Sequence, residues 1–311
     1  MGRPVTTLVR DDSLRPEVPD QRELIEAGGM WVAERGADPE AVVREARDLG
    51  VRALCVLGKD LSVLTGLPQL EHLHLDDAGD ITPTLGLPRL RTLDVVSFED
   101  GVVDAAAWPE LRRFAVSQAP RGGGGVESVL SHPSVEVLGL GRYPRSDLAA
   151  VTAPRLRQLR VSSSTLTSLA GLEAHASTLE VLVLWRVPKL ADLSALAVLD
   201  RLEVLSLATA RRVTTVDDLA AARGLRLLDI DELKGVESLD PLAGHPSLEF
   251  LLFQRTGDMS LAALTDLPRL RAVGGYRSRG WQPDLATFPD LATFGDEDEV
   301  RREYAALRLR Y

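Results

Sequence analysis

The feature that most constrains this chain is a short Leu-x-Leu pair that recurs along most of its 311 residues. Successive pairs begin 19 to 24 residues apart, from Leu54/Val56 to Leu251/Phe253, and a weaker copy follows at Val273. On a strand, residues i and i+2 face the same side, so each pair sends both side chains into one core. A single unit cannot bury that face, whereas stacked units bury a continuous one. The spacing predicts an array of repeats, and Phe294 is predicted to begin a last, degenerate copy.

In this register the sequence resembles a leucine-rich repeat protein, and segments such as VESLDPLAGHPSLEFLLF are similar to the short-repeat bacterial, internalin-like class. The resemblance implies an α/β fold: a right-handed leucine-rich repeat solenoid, shaped as a horseshoe or arc. Its parallel sheet would line the concave side, and short 3₁₀ or helical segments the convex side. We expect about eleven to twelve units over residues 51–294, an N-terminal segment with a helical cap over 1–50, and a C-terminal helical cap over 295–311.

Both predicted caps have helix signals of their own. Asp38, Pro39 and Glu40 supply an N-cap, a proline at the first helical position and an early acid. A helix is predicted to run from here to about Leu49 and to stop at Gly50. In the last segment, acids precede the arginine-rich stretch VRREYAALRLRY, an order that suits the helix dipole.

The turn after each strand departs from the family pattern. Repeats of this family usually carry Asn five residues after the first strand leucine, where it bonds backbone groups along the stack, but this chain contains no Asn. The turn column, as we call this position, holds Ala78, Phe98, Ala119, Tyr143, Ser164, Val187, Ala210, Leu233 and Thr256. Backbone groups at most turns are therefore expected to bond water or one another.

Composition narrows the function classes. A net charge of −10 and a pI near 5.1 argue against nucleic acid, because phosphate binding needs a concentrated basic face. The single cysteine excludes an intrachain disulfide and fits a reducing compartment. The first residues lack an apolar signal core, and no apolar run has membrane length. We expect a cytoplasmic protein with no membrane partner; three lysines among 36 basic residues suggest a GC-rich bacterial genome.

The predicted function is a non-catalytic scaffold, without a cofactor, that binds a protein or peptide on the concave face. Roughly a dozen strands about 4.8 Å apart give a groove on the order of 50 Å long, which suits an extended partner. Its N-terminal part is polar, and from Val181 onward an apolar patch with Trp185 as anchor is predicted, which includes Val204 and is rimmed partly by Glu232. The candidate contact residues are His72, His74, Asp76, Asp94, Arg113, Arg160, Val183, Trp185, Arg186, Leu227, Asp229, Asp231, Phe250, Leu252, Gln254, Arg255 and Tyr276.

Two alternatives belong to other classes. The register places Cys55, His74 and Asp94 side by side, which are the residue types of a cysteine nucleophile with an oriented base, and His72-x-His74 with a nearby Asp can bind a metal. No oxyanion hole or water-excluding lid accompanies them in the sequence, so an enzyme is not expected. The other alternative is a structural subunit that buries the apolar patch by self-association. The remaining histidines, His132, His175 and His245, are interpreted as turn residues.

Overall fold

The computed structural model describes residues 8–11, 29–120, 125–236, 238–254, 260–274 and 292–294. The chain forms two compact units. The first contains residues up to Arg142 together with 153–155, and the second contains 143–152 together with the chain from Leu156 onward.

The first unit holds a sheet of short strands joined by turns and 3₁₀ segments. Strands β3, β4, β6, β7 and β8 pair in parallel, β2 pairs in parallel with β3, β1 pairs antiparallel with β2, and the short β5 pairs with β6. The strands are β1 (Leu8–Asp11), β2 (Met30–Ala33), β3 (Ala53–Leu57), β4 (His72–Asp76), β5 (Ala78–Asp80), β6 (Thr92–Asp100), β7 (Arg113–Gln118) and β8 (Val137–Gly141). The helical elements are α1 (Pro39–Asp48) and 3₁₀ turns at Ser62–Gly66, Thr82–Gly86, Ala105–Ala107 and Val126–Val129.

The second unit repeats this plan with parallel pairing throughout its described strands. The strands are β9 (Gln158–Ser162), β10 (Val181–Trp185), β11 (Val204–Ala208), β12 (Leu227–Asp231), β13 (Phe250–Gln254), β14 (Ala272–Gly274) and β15 (Ala292–Phe294). Between them lie the short helix α2 (Asp217–Ala221) and 3₁₀ turns at Leu172–His175, Ser194–Val198, Asp240–Leu242 and Ala262–Asp266.

The predicted repeat register is confirmed within both units. In the first, Leu54 lies opposite Leu73, and in the second Leu182 lies opposite Leu205, as the alignment requires. Both residues of every clear Leu-x-Leu pair are at most 4% exposed. The last copy was predicted one residue too late, because Thr293 rather than Phe294 lies opposite Val273.

Helix α1 begins and ends where its signals place it. The Asp38 side chain accepts a hydrogen bond from Glu40 N at 3.2 Å, Pro39 opens the helix, and Gly50 follows the C-cap with φ 65°. Two strands precede this helix, however, so the first unit's sheet continues past it to β1. Its role as a cap stays a prediction, and the predicted C-terminal cap lies outside the described residues.

Two features take the place of asparagine in these turns. From Ala78 onward the described residues of the turn column are all buried, none more than 6% exposed, so they add to the core. In six turns the preceding residue adopts the left-handed conformation, with φ between 52° and 57°, at Asp77, Arg142, Ser163, Arg186, Thr209 and Glu232.

That conformation aims backbone N–H groups along the stack. In the second unit the N–H groups of Ser163, Arg186 and Thr209 donate to strand-end carbonyls of the next repeat at 2.8–3.0 Å. The expectation that the backbone groups bond one another therefore holds at these three turns.

The three turn histidines form a second set of bonds between repeats. His175 Nε2 lies 2.8 Å from Val151 O, and His245 Nε2 lies 3.1 Å from Ala222 O. Both rings are at most 3% exposed, and His132 is 6% exposed. Burial lowers the pKa of His132 and of His245, because a charged imidazolium would lose its hydration there.

Candidate partner-binding face

The free face of each sheet, which is the one opposite the Leu-x-Leu side chains, carries three columns of residues. The first column is the residue before each strand leucine, the second lies between the two core residues, and the third follows them. These are the positions predicted for the concave face. Their exposure decides which side chains a partner could contact.

In the first unit, the first column is buried, and on β4, β6 and β7 it is polar. His72 is fully buried, with Nδ1 3.1 Å from Thr92 Oγ1. Arg113 Nε donates to both carboxylate oxygens of Asp94, a second-column residue, at 2.9 and 3.0 Å, and the two side chains are only 6% and 9% exposed. Buried charges need such pairing. His72, Asp94 and Arg113 were predicted to be accessible to a partner, but their side chains are buried. His74 and Asp76 are half-buried.

The hypothesised Cys–His–Asp row exists as a register of three adjacent strands. Cys55 lies opposite His74, and His74 lies opposite Asp94, on three adjacent strands. Cys55 is nevertheless 1% exposed and packs in an apolar cluster with Met30, Val32, Ala53 and Leu57. The Asp94 carboxylate is engaged by Arg113. Within the described ranges no group of three or more His, Cys, Asp or Glu side chains is placed to hold a metal.

In the second unit, the first column is apolar and buried from β10 onward, whereas Gln158 on β9 is half-buried. Val181, Val204, Leu227, Phe250 and Ala272 are each at most 4% exposed and pack as one cluster, with half-buried Val183 and Leu252 against it. The predicted exposure of Val204, Leu227 and Phe250 is therefore wrong. Neighbouring strands lie about 4.8 Å apart, so large side chains in register cover one another.

Among the described residues of this face, Trp185 is the exposed large apolar side chain. It ends β10 in the third column and is 47% exposed. The next residue, Arg186, takes the left-handed conformation, its N–H bonds Ala208 O, and its Cζ lies 4.3 Å from the centroid of the indole ring. The guanidinium therefore stacks on the indole in a cation–π contact.

Charged side chains lie on β9 and at β12, on either side of strands β10 and β11. Arg160, Asp229, Asp231 and Glu232 are half-buried, and Ser206 Oγ donates to Asp229 Oδ2 at 2.9 Å. For three further candidates the side chain is not described. Gln254 is described only as the last residue of β13, and Arg255 and Tyr276 lie outside the described residues.

Sequence reasoning missed a fourth column, two residues before each strand leucine. It contains only Arg and Glu: Arg52, Glu71, Arg91, Arg112, Glu136, Arg157, Glu180, Glu203, Arg226, Glu249 and Arg271. Neighbours of opposite charge pair, for example Arg226 Nε with Glu249 Oε1 at 2.9 Å and Arg157 with Glu180 at 2.7 Å. Extending the alignment by one column would have revealed this ladder. Exposed pairs of this kind contribute little stability each, about 0–1 kcal/mol. The main effect of this fourth column is therefore to place paired charges of both signs at the N-terminal ends of the strands.

These observations define the class: each unit has the architecture of a leucine-rich repeat solenoid, as predicted. Among solved structures, an internalin (inlF) from Listeria monocytogenes matches with a TM-score of 0.56 at 17% identity, over 79% of this chain and 73% of that one. Internalin C2 from the same organism matches with a TM-score of 0.42 at 20% identity, over 69% of this chain and 83% of that one. InlJ matches with a TM-score of 0.48 at 15% identity, over 71% and 52%.

At such identity the likeness to inlF shows the fold alone. No family model matches the sequence, and no curated protein matches it either. In the described part of the chain, no helix combines the length and the apolarity needed to cross a membrane.

Proposed function

We propose that this protein is a non-catalytic scaffold that binds a protein or peptide on the free face of its second unit, with Trp185 as the anchor. Repeat solenoids of this class present extended surfaces for such partners. The observation that carries the proposal is the half-exposed indole of Trp185, stacked by Arg186 on a face whose first column is closed from β10 onward. Tryptophan and arginine are the residues most enriched at the energetic centres of protein interfaces.

The surroundings of Trp185 suit a polypeptide. Half-buried Val183 supplies apolar surface on the same strand. Arg160 on the adjacent strand β9 supplies a positive charge, and Asp229 and Asp231 on β12, one strand beyond β11, supply negative charges. An apolar centre with a polar rim is the usual anatomy of an interface. The buried first column would then act as rigid support and not as contact surface.

The repeat that carries Trp185 also supplies its control. Val198, in the 3₁₀ turn Ser194–Val198, is 44% exposed, close to the value for Trp185, but does not lie on the sheet. A random linear peptide library displayed on phage would be selected on the immobilised chain. Peptides enriched on the wild type should bind Trp185→Ala at least about 30-fold more weakly, equivalent to about 2 kcal/mol for an interface anchor. Val198→Ala should bind them unchanged.

Two results would overturn the proposal. One is equal affinity of the selected peptides for the wild type and Trp185→Ala. The other is self-association: if light scattering shows an oligomer for the wild type and a monomer for Trp185→Ala, the face binds a second copy of this chain instead.

A further inference from the structure

A pocket of about 330 Å³ opens in the first unit between the loop that follows β2 and the loop that follows β3. Its floor includes Val42, Val56 and Val63, which belong to the core and are at most 4% exposed. Arg35 and Lys59 are among the charged residues at its rim. This volume is at the lower end of the range for ligand sites, about 300–1,000 Å³, and is suited to a single ring or branched aliphatic group.

The turn column explains why the pocket exists. Five residues after a strand's first core position, other repeats place a buried side chain such as Phe98 or Leu233. In the repeat of β3 this position is Lys59, whose side chain is 56% exposed and pairs with Glu99. In the repeat of β2 it is Gly36, which has no side chain and a φ of 76°. The two N-terminal repeats thus leave unfilled the space that the chain fills elsewhere.

The rim charges indicate what kind of group would enter. Arg35 pairs with Asp77 at 3.4 Å, and Lys59 pairs with Glu99. Asp60 accepts a hydrogen bond from Ser62 N at 2.9 Å. Glu34, the other charged residue of the lining, is exposed to solvent. A charged ligand would have to disturb the ion pairs of Arg35 and Lys59 and lose its own hydration, whereas an uncharged apolar group loses nothing by entering.

We propose that this pocket binds one uncharged aromatic or branched aliphatic side chain presented by a partner polypeptide. Such a side chain would complete the turn column, entering from the loops as the chain's own residues do in later repeats. The site lies in the other unit from Trp185, so it goes beyond the sheet-face proposal and does not depend on it.

The test uses the full chain with ¹³C-labelled valine methyl groups and measures shifts of Val42, Val56 and Val63 on titration. The probes are the capped tripeptides acetyl-Gly-Phe-Gly-amide and acetyl-Gly-Leu-Gly-amide, with Ala, Glu and Lys versions as controls. The Phe or Leu probe should shift these methyl resonances, with a dissociation constant on the order of millimolar for so small a ligand. The control peptides should bind at least tenfold more weakly.

Two variants close the pocket in different ways. Ala37→Trp places a large side chain at the lining, and Lys59→Leu restores the buried residue type found in the turn column. Each should weaken the Phe probe at least tenfold. Ala221→Trp, at an exposed position of α2, is the matched control and should leave the affinity unchanged, as should Trp185→Ala.

Three outcomes would overturn the inference. The first is no shift of the three valines with any probe, and the second is a Glu or Lys peptide that binds as tightly as the Phe peptide. The third is free benzamide binding as tightly as the Phe peptide, which would make this a small-molecule site. None of these outcomes bears on Trp185, so the two proposals fail separately.

Discussion

The same column of the repeat is built in two different ways in the two units. In the first unit the first column contains His72, Thr92 and Arg113, which are buried and polar. In the second it contains Val204, Leu227 and Phe250 among others, which are buried and apolar. These positions are closed to solvent in both units, so the geometry of stacked strands sets their burial. Side-chain chemistry sets only how that burial is made favourable.

The two solutions differ in how they tolerate change. A buried ion pair depends on both partners, because removal of one leaves the other charged and desolvated. An apolar cluster loses contacts in proportion to the atoms removed and can partly relax. We therefore expect a single truncation in this column to lower the free energy of unfolding more in the first unit. In the second unit the loss should grow with the number of atoms removed.

The largest effect is expected for Arg113→Ala, which leaves the Asp94 carboxylate buried without the guanidinium that binds it. Removal of one partner of a buried pair typically costs about 3–5 kcal/mol. Urea unfolding should show this loss, and hydrogen exchange should localise it to β6 and β7. The double variant Asp94→Leu with Arg113→Leu, which imitates the second unit, should recover most of it. A double variant as unstable as Arg113→Ala would contradict the idea that apolar residues can replace the ion pair in this column.

A smaller loss is expected for Leu227→Ala in the apolar cluster. This change removes a fully buried side chain between Val204 and Phe250 and should lower the free energy of unfolding by about 2–4 kcal/mol. Urea unfolding of both variants provides the measurement. Val198→Ala, at an exposed position, should change stability by less than about 0.5 kcal/mol. A loss at Leu227 no larger than at Val198 would show that the cluster is not part of the folded core.

The stability of both units should decrease in acid, because each contains a buried turn histidine with a lowered pKa, His132 in the first and His245 in the second. The folded pKa of His132 and of His245 is lowered, mainly by burial, so the unfolded chain takes up protons first as pH falls. Their contribution to stability is complete above the unfolded pKa of about 6.5 and is lost as pH falls from there through the lowered folded pKa. Urea midpoints between pH 8 and pH 5 should decrease accordingly.

The variant His245→Gln separates the second unit's share of this pH dependence. Glutamine keeps an N–H that can donate to Ala222 O but does not titrate. The slope of stability against pH should become smaller in this variant. An unchanged slope would assign the pH dependence to other groups.

The smallest effect is expected at the left-handed turns, which both units share. Ser163 is exposed and has φ 52°, a conformation that asparagine adopts more readily than serine. Ser163→Asn should raise the free energy of unfolding by about 0.5 kcal/mol, and Ser163→Val should lower it by about 1 kcal/mol. Thermal unfolding of the two variants side by side gives the difference. A Val variant as stable as the wild type would contradict a turn held in this conformation.

Much of the fold could be predicted because it depends on local pattern. The Leu-x-Leu spacing assigned the core residues of ten strands, and Asp38 with Pro39 located helix α1. Strands β1 and β2 were missed, because neither carries the repeat's full pattern. The candidate site was predicted less well: Leu227, Phe250 and Arg113 lie in the expected columns but are buried.

The sequence by itself determined which residues share a strand face and which repeats align, since a period of two and the need to stack leave one register. Only the tertiary structure decided which outward side chains reach solvent, because that depends on neighbours about 20 residues away along the chain that strand pairing brings within about 5 Å. It also decided how turns without asparagine bond their backbones. The exposure of Trp185 and the pocket beside Lys59 are decided at this level.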